Sequence, residues 1–104
     1  MSVELEQELV AIAEYVQRHI NLEYERVNWK PEPGSALDQA GLQNGVEVVK
    51  DYVEHGEAGI AFDHLLYMIK ETNLQLSERY LTQLSDIAKT LGALPSDFRA
   101  TRHN

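Results

Sequence analysis

Gly56-Glu57-Ala58-Gly59-Ile60-Ala61-Phe62-Asp63-His64-Leu65-Leu66-Tyr67-Met68-Ile69-Lys70-Glu71-Thr72, then Asn73-Leu74-Gln75-Leu76-Ser77, then Glu78-Arg79-Tyr80-Leu81-Thr82-Gln83-Leu84-Ser85-Asp86-Ile87-Ala88-Lys89-Thr90-Leu91-Gly92, spells two amphipathic helices and a tight link. Phe62, Leu65, Leu66 and Ile69 recur at helical spacing in the first. Leu81, Leu84, Ile87, Ala88 and Leu91 do so in the second. Ser77 has the hydroxyl that an N-cap uses to accept a first-turn N–H. Leu76 and Leu81 stand at the two positions of a hydrophobic staple. Gly92 suits the left-handed residue that closes a helix, and Pro95 stops continuation. Each helix shows one apolar stripe, so the hairpin needs a partner surface from the rest of the chain.

That partner is expected upstream. Ser2 can cap a helix over residues 3–20, with the stripe Leu5, Leu9, Ile12, Ala13, Val16 and Ile20. Glu4, Glu6 and Glu8 lie where the helix dipole favours negative charge, and Arg18 and His19 lie where it favours positive charge. Residues 21–35 break the pattern and end in Lys30-Pro31-Glu32-Pro33-Gly34-Ser35, which reads as a loop. Trp29, the one tryptophan, either pins this loop to the core or stands out as an interface anchor. A short helical start is expected at Ser35-Ala36-Leu37-Asp38, ended by Gly41. Asn44-Gly45-Val46-Glu47 is a second capping signal. It opens a helix to about His55 with the stripe Val46, Val49 and Val53, closed by Gly56. The third long helix spans about residues 57–72. Gly59 near its start either admits a close backbone or simply weakens the helix. After Gly92, Leu94 and Phe98 are expected to lie back on the bundle, with a polar tail over 99–104. No strand pattern and no repeat emerges. The expected fold is all-α, a single domain over residues 1–104, built as a compact bundle of four main helices with one longer proline-containing loop.

The 104 residues carry a formal net charge of −8. Residues 1–63 hold 13 acids and 4 bases, and residues 64–104 hold 4 acids and 5 bases. The acidity therefore belongs to the N-terminal part. It opposes binding to nucleic acid, where phosphates need a basic face, and to anionic membranes. The surplus either keeps a small protein soluble or complements a basic protein partner. With no cysteine there is no disulfide and no thiol nucleophile. No apolar run of membrane-spanning length occurs, and no secretory leader is expected.

Catalytic chemistry finds no support in the spacing. His19, His55, His64 and His103 form no metal motif. Asp51 and His55 share a helix face, but a site needs three or four ligands. Ser77 and Ser85 lack a nucleophile turn, and Gly41 and Gly45 lack the strand and lysine of a phosphate loop. No enzyme, metal or cofactor is expected. What remains is a binding module with aromatic residues among carboxylates, since carboxylates steer a basic partner and aromatic rings anchor it. The candidate partner-binding residues are Trp29, Glu47, Asp51, Tyr52, Glu54, Glu57, Asp63 and Tyr67. Tyr67 is expected to lie close to Tyr52. Homo-oligomerisation stays open.

The run Gly56-Glu57-Ala58-Gly59-Ile60-Ala61-Phe62-Asp63-His64-Leu65-Leu66, with Leu74-Gln75-Leu76-Ser77 and the closing Leu91-Gly92, resembles small bacterial immunity proteins of the MafI-like type. These are related in role to the immunity proteins of contact-dependent growth inhibition. The likeness covers residues 54–92 and leaves the acidic half unmatched. It implies a cytoplasmic antidote that binds the C-terminal domain of a cognate toxin, often a basic RNase or DNase, and blocks its substrate-binding or active site. The acidic immunity proteins of nuclease colicins are a looser comparison. They carry paired tyrosines where Asp51-Tyr52-Val53-Glu54 has one. The alternative is a small acidic helical adaptor or regulatory subunit with no toxin partner.

Overall fold

A computed structural model describes residues 3–39 and 41–92. Ser2, Leu94, Pro95, Phe98 and the tail over 99–104 lie outside the described residues, and so do the expectations about them. The described chain is all-α. Four helices, α1 (Val3–Arg26), α2 (Gly45–Glu54), α3 (Ala58–Glu71) and α4 (Glu78–Leu91), are joined by connections, one of which holds a 3-10 turn at Ala36–Asp38. No strand occurs among the described residues.

The helices alternate in direction. Val46 and Lys50 on α2 meet Gln17 and Glu14 on α1, so α2 runs back along α1. Gly45 at the start of α2 faces Met68 near the end of α3, so α3 returns again. Tyr80 on α4 stacks on Tyr15 of α1 at 4.2 Å, while Leu91 reaches the start of α3. The interface between α2 and α3 is the most extensive, followed by that between α1 and α2. The stripes read from spacing form the core: Leu9, Ile12, Val16 and Ile20 of α1 meet Val49 of α2, Phe62, Leu65 and Ile69 of α3, and Leu84 and Ile87 of α4.

Helix α1 runs six residues beyond the expected end at residue 20. The reason is Tyr24. Spaced four from Ile20, it continues the apolar stripe and is 2% exposed. Its hydroxyl donates to the Leu37 carbonyl at 2.6 Å, so the buried phenol is satisfied. The helix then ends with Asn28 in the left-handed region, where the Asn28 N–H reaches the Glu25 carbonyl and the Trp29 N–H the Tyr24 carbonyl. That is the Schellman pattern. The same pair of bonds closes α2 at Gly56 and α3 at Asn73. Gly92 at the end of α4 is left-handed too, as its sequence position implied.

The helix starts differ from expectation. Ser35, Asn44 and Ser77 flank the helices they were expected to cap, yet none makes a side-chain capping bond. For α2 the missing acceptor comes from a distance. The Gln17 side chain accepts from the Val46 N–H at 3.2 Å and donates to the Leu42 carbonyl at 2.9 Å and to Asn21 Oδ1 at 3.1 Å. Among the described residues it is the one buried polar side chain, with every hydrogen-bonding atom engaged. The connection from α1 to α2 is pinned at two further points. Tyr24 holds Leu37, and His64 of α3 donates from Nε2 to the Gly41 carbonyl at 3.1 Å. Gly41 has φ +83°, and a Cβ there would press on the His64 ring at 2.8 Å, so glycine is required twice over.

Two predictions follow from this packing. Gln17→Leu fills the space but leaves the Val46 N–H and Leu42 carbonyl without partners, which costs about 1–3 kcal/mol. Urea unfolding checks it through a lower midpoint at unchanged slope. Gly45 and Gly59 should respond in opposite directions to alanine. A Cβ at Gly45 overlaps the fully buried Met68 thioether, whereas one at Gly59 meets nothing within 4 Å. Gly45→Ala should therefore lose about 1 kcal/mol by overpacking, and Gly59→Ala should gain about 0.5 kcal/mol in helix stability.

Candidate functional site: an acidic ridge on α2

Glu47, Asp51 and Glu54 are spaced four and three apart, so they share one face of α2. The opposite face carries Gly45 and Val49, which are buried, so the carboxylates point outward and are exposed. Glu57, just beyond the Gly56 turn, is exposed as well and extends the acidic surface. Among the described residues no lysine or arginine lies within ion-pair distance of these four. Lys50, the nearest in sequence, turns to Glu14 of α1 at 3.8 Å.

The cation within the ridge is conditional. His55 Nδ1 donates to the Asp51 carbonyl at 2.7 Å and stands 3.5 Å from the Asp51 carboxylate. That backbone bond, followed by the charge of Asp51, raises the His55 pKa above the ordinary imidazole value, and Glu54 and Glu57 add to it. The protonated ring also lies at the C-terminal end of α2, where the helix dipole favours positive charge.

The aromatic candidates do not join this ridge. Tyr52 is half-buried and packs against the core. Tyr67 is half-buried beside His64, with ring centres 5.3 Å apart. Burial and then Glu71 raise its pKa. It lies beside Gly41, at the level where α3 passes the start of α2. Tyr52 is seven residues further along α2, roughly 10 Å away along the axis. The expected closeness of the two tyrosines is corrected by the antiparallel α2–α3 hairpin, which puts their levels apart. Asp63 is exposed on α3, beside a shallow depression that also includes Gly59, Ile60 and Leu91.

Trp29 combines both placements that the sequence left open. Its indole stacks on the buried Tyr24 ring at 5.1 Å, with planes 4° apart, yet 45% of the residue is exposed. Its φ of +60° is uncommon for a bulky residue and costs about 1–2 kcal/mol. The stack offsets part of that cost. It stands at the end of α1, away from the α2 ridge. Leu22 and Val27, also exposed, belong to the same end of α1.

The residues that sequence reasoning missed are Gln17 and Tyr24. Both carried a signal, since Ala13, Gln17, Ile20 and Tyr24 continue the α1 stripe in steps of four, three and four. Among the described residues no group of three or more His, Cys, Asp or Glu could hold a metal ion. No helix there is long and apolar enough to cross a membrane. No known protein family, characterised protein or solved structure matches this chain.

The pH dependence of the ridge has a definite sign. The folded pKa of His55 is raised, so its contribution to stability is complete below the unfolded value and is lost as pH rises through the folded value. An NMR titration of the His55 ring should show a midpoint above about 6.5. Asp51→Asn should lower it only part of the way, because the backbone carbonyl bond remains.

Proposed function

We propose that this protein is an immunity protein. It binds a basic, nuclease-type toxin domain in the bacterial cytoplasm and occupies the surface that would hold nucleic acid. One observation carries this reading: the exposed ridge of Glu47, Asp51, Glu54 and Glu57 has no lysine or arginine paired with it among the described residues. A nuclease displays lysine and arginine to neutralise phosphates, and an acidic ridge can substitute for those phosphates. The ridge steers the encounter over about a Debye length, ~8 Å at physiological salt. The likeness of residues 54–92 to MafI-like immunity proteins points the same way.

The adaptor reading has its own support in the apolar side chains left exposed, namely Leu22, Val27, Trp29 and Ile60. It requires an apolar contact whose strength barely changes with salt. The two readings separate in a titration against the C-terminal domain of a large secreted protein encoded next to this chain, run at two salt concentrations. Tight, salt-sensitive one-to-one binding with loss of toxicity supports the immunity reading.

Within such a complex, Glu47→Lys or Glu54→Lys should slow association roughly tenfold at low salt and flatten its salt dependence, with a smaller change in dissociation. Unchanged association rates in both variants would remove the ridge as the steering surface.

A further inference from the structure

On the other flank of α2, facing α1, lies a shallow, open depression of about 310 Å³. Val10, Ala11 and Val53 form its apolar part, and Glu6, Gln7 and Glu14 complete its lining. Gln7, Val10, Ala11 and Glu14 are spaced i, i+3, i+4 and i+7, so they present one continuous face of α1. Ala11 and Gln7 are exposed, while Val10 and Val53 are half-buried. Val53 places the depression on the same helix as the ridge, one flank away from it. Its acidic side is the α1 wall, with Glu6 and Glu14. Lys50 is the cation at the rim. It is 44% exposed at the side chain and faces Glu14 across 3.8 Å, so the two charges partly offset each other, and Glu6 is the lining carboxylate with no ion pair among the described residues.

We infer that this groove seats a basic amphipathic helix of the protein partner. The inference rests on the reading that the ridge faces a basic partner, and it names the element of that partner that makes apolar contact. Shape and charge select the occupant. A shallow apolar furrow between two helices takes a third helix through its apolar face. The α1 wall from Gln7 to Glu14 is roughly 10 Å long at 1.5 Å per residue, which matches about two turns. The occupant therefore presents apolar residues at i, i+3 or i+4 and i+7, with lysine or arginine flanking them to meet the α1 carboxylates Glu6 and Glu14. A second copy of this chain would bring the same net charge of −8 to an acidic rim, so self-association is disfavoured there.

The test uses the full chain, labelled with nitrogen-15, and two synthetic 14-residue peptides of lysine and leucine. One places leucine at i, i+3, i+4 and i+7; the other has the same composition with no apolar face. The amphipathic peptide should perturb the amides of Val10, Ala11, Glu14 and Val53 and bind at least tenfold more tightly than the scrambled one. Ala11→Lys and Gln7→Arg, both at exposed helical positions, should each weaken it about tenfold, and Ile60→Lys on α3 should leave it unchanged. Equal binding of both peptides would overturn the inference. So would perturbations confined to Glu47, Asp51 and Glu54, or affinity untouched by both groove variants. The peptides contain no toxin, so failure here leaves the immunity reading to its own titration. Likewise, a chain with no toxin neighbour can still pass this test.

Discussion

The side-chain amide of Gln17 is the constraint on which the arrangement of α1, α2 and their connection depends. A buried amide is costly unless satisfied, and this one is satisfied only when three elements are in place at once. Its oxygen needs the Val46 N–H at the start of α2, and its nitrogen needs the Leu42 carbonyl in the connection and Asn21 on α1 itself. The apolar stripes would tolerate small slides of α2 along α1, since hydrophobic contact is not directional. The amide does not. It fixes the register that brings Lys50 to Glu14 and sets Val53 beside Val10 and Ala11.

Register in turn decides what the acidic residues can do. Lys50 is the cation closest in sequence to the carboxylates of α2, and the packing turns it toward α1. Among the described residues, Glu47, Asp51 and Glu54 are left with His55, whose charge depends on pH. A charged ridge of this kind is tolerable because it is exposed and screened by water and salt. None of its carboxylates pairs with a cation on another helix among the described residues, so it takes no part in joining the helices and is free to keep the protein soluble or to meet a partner. Under the proposed function that partner is basic.

The helix ends show how local chemistry and tertiary contact divide the task. Gly56 and Gly92 were legible as stops because glycine adopts positive φ at low cost. Asn28 and Asn73 do the same work at the ends of α1 and α3, since asparagine tolerates the left-handed region better than other residues with a Cβ. The stop at Asn28 was hidden by an irregular run that read as loop. Only Tyr24, buried and bound to Leu37, keeps two further turns of α1 against the core. Trp29 then takes a left-handed backbone of its own and stacks on the ring that made the extension worthwhile.

Apolar periodicity determined by itself that the chain is helical, where four helices lie, and which faces they bury. That signal is local: spacing of three and four aligns side chains on one face whatever the neighbours are. It also showed that Glu47, Asp51 and Glu54 share an outward face. Tertiary structure alone decided the rest. Ser35, Asn44 and Ser77 look like caps in sequence, yet the acceptor at the start of α2 comes from Gln17, 29 residues before Val46. Tyr52 and Tyr67 look like companions of the ridge, yet the antiparallel hairpin sets them at different levels and packs both inward. The groove between α1 and α2 has no signature in either helix, because its shape exists only once two stripes have been brought together in one register.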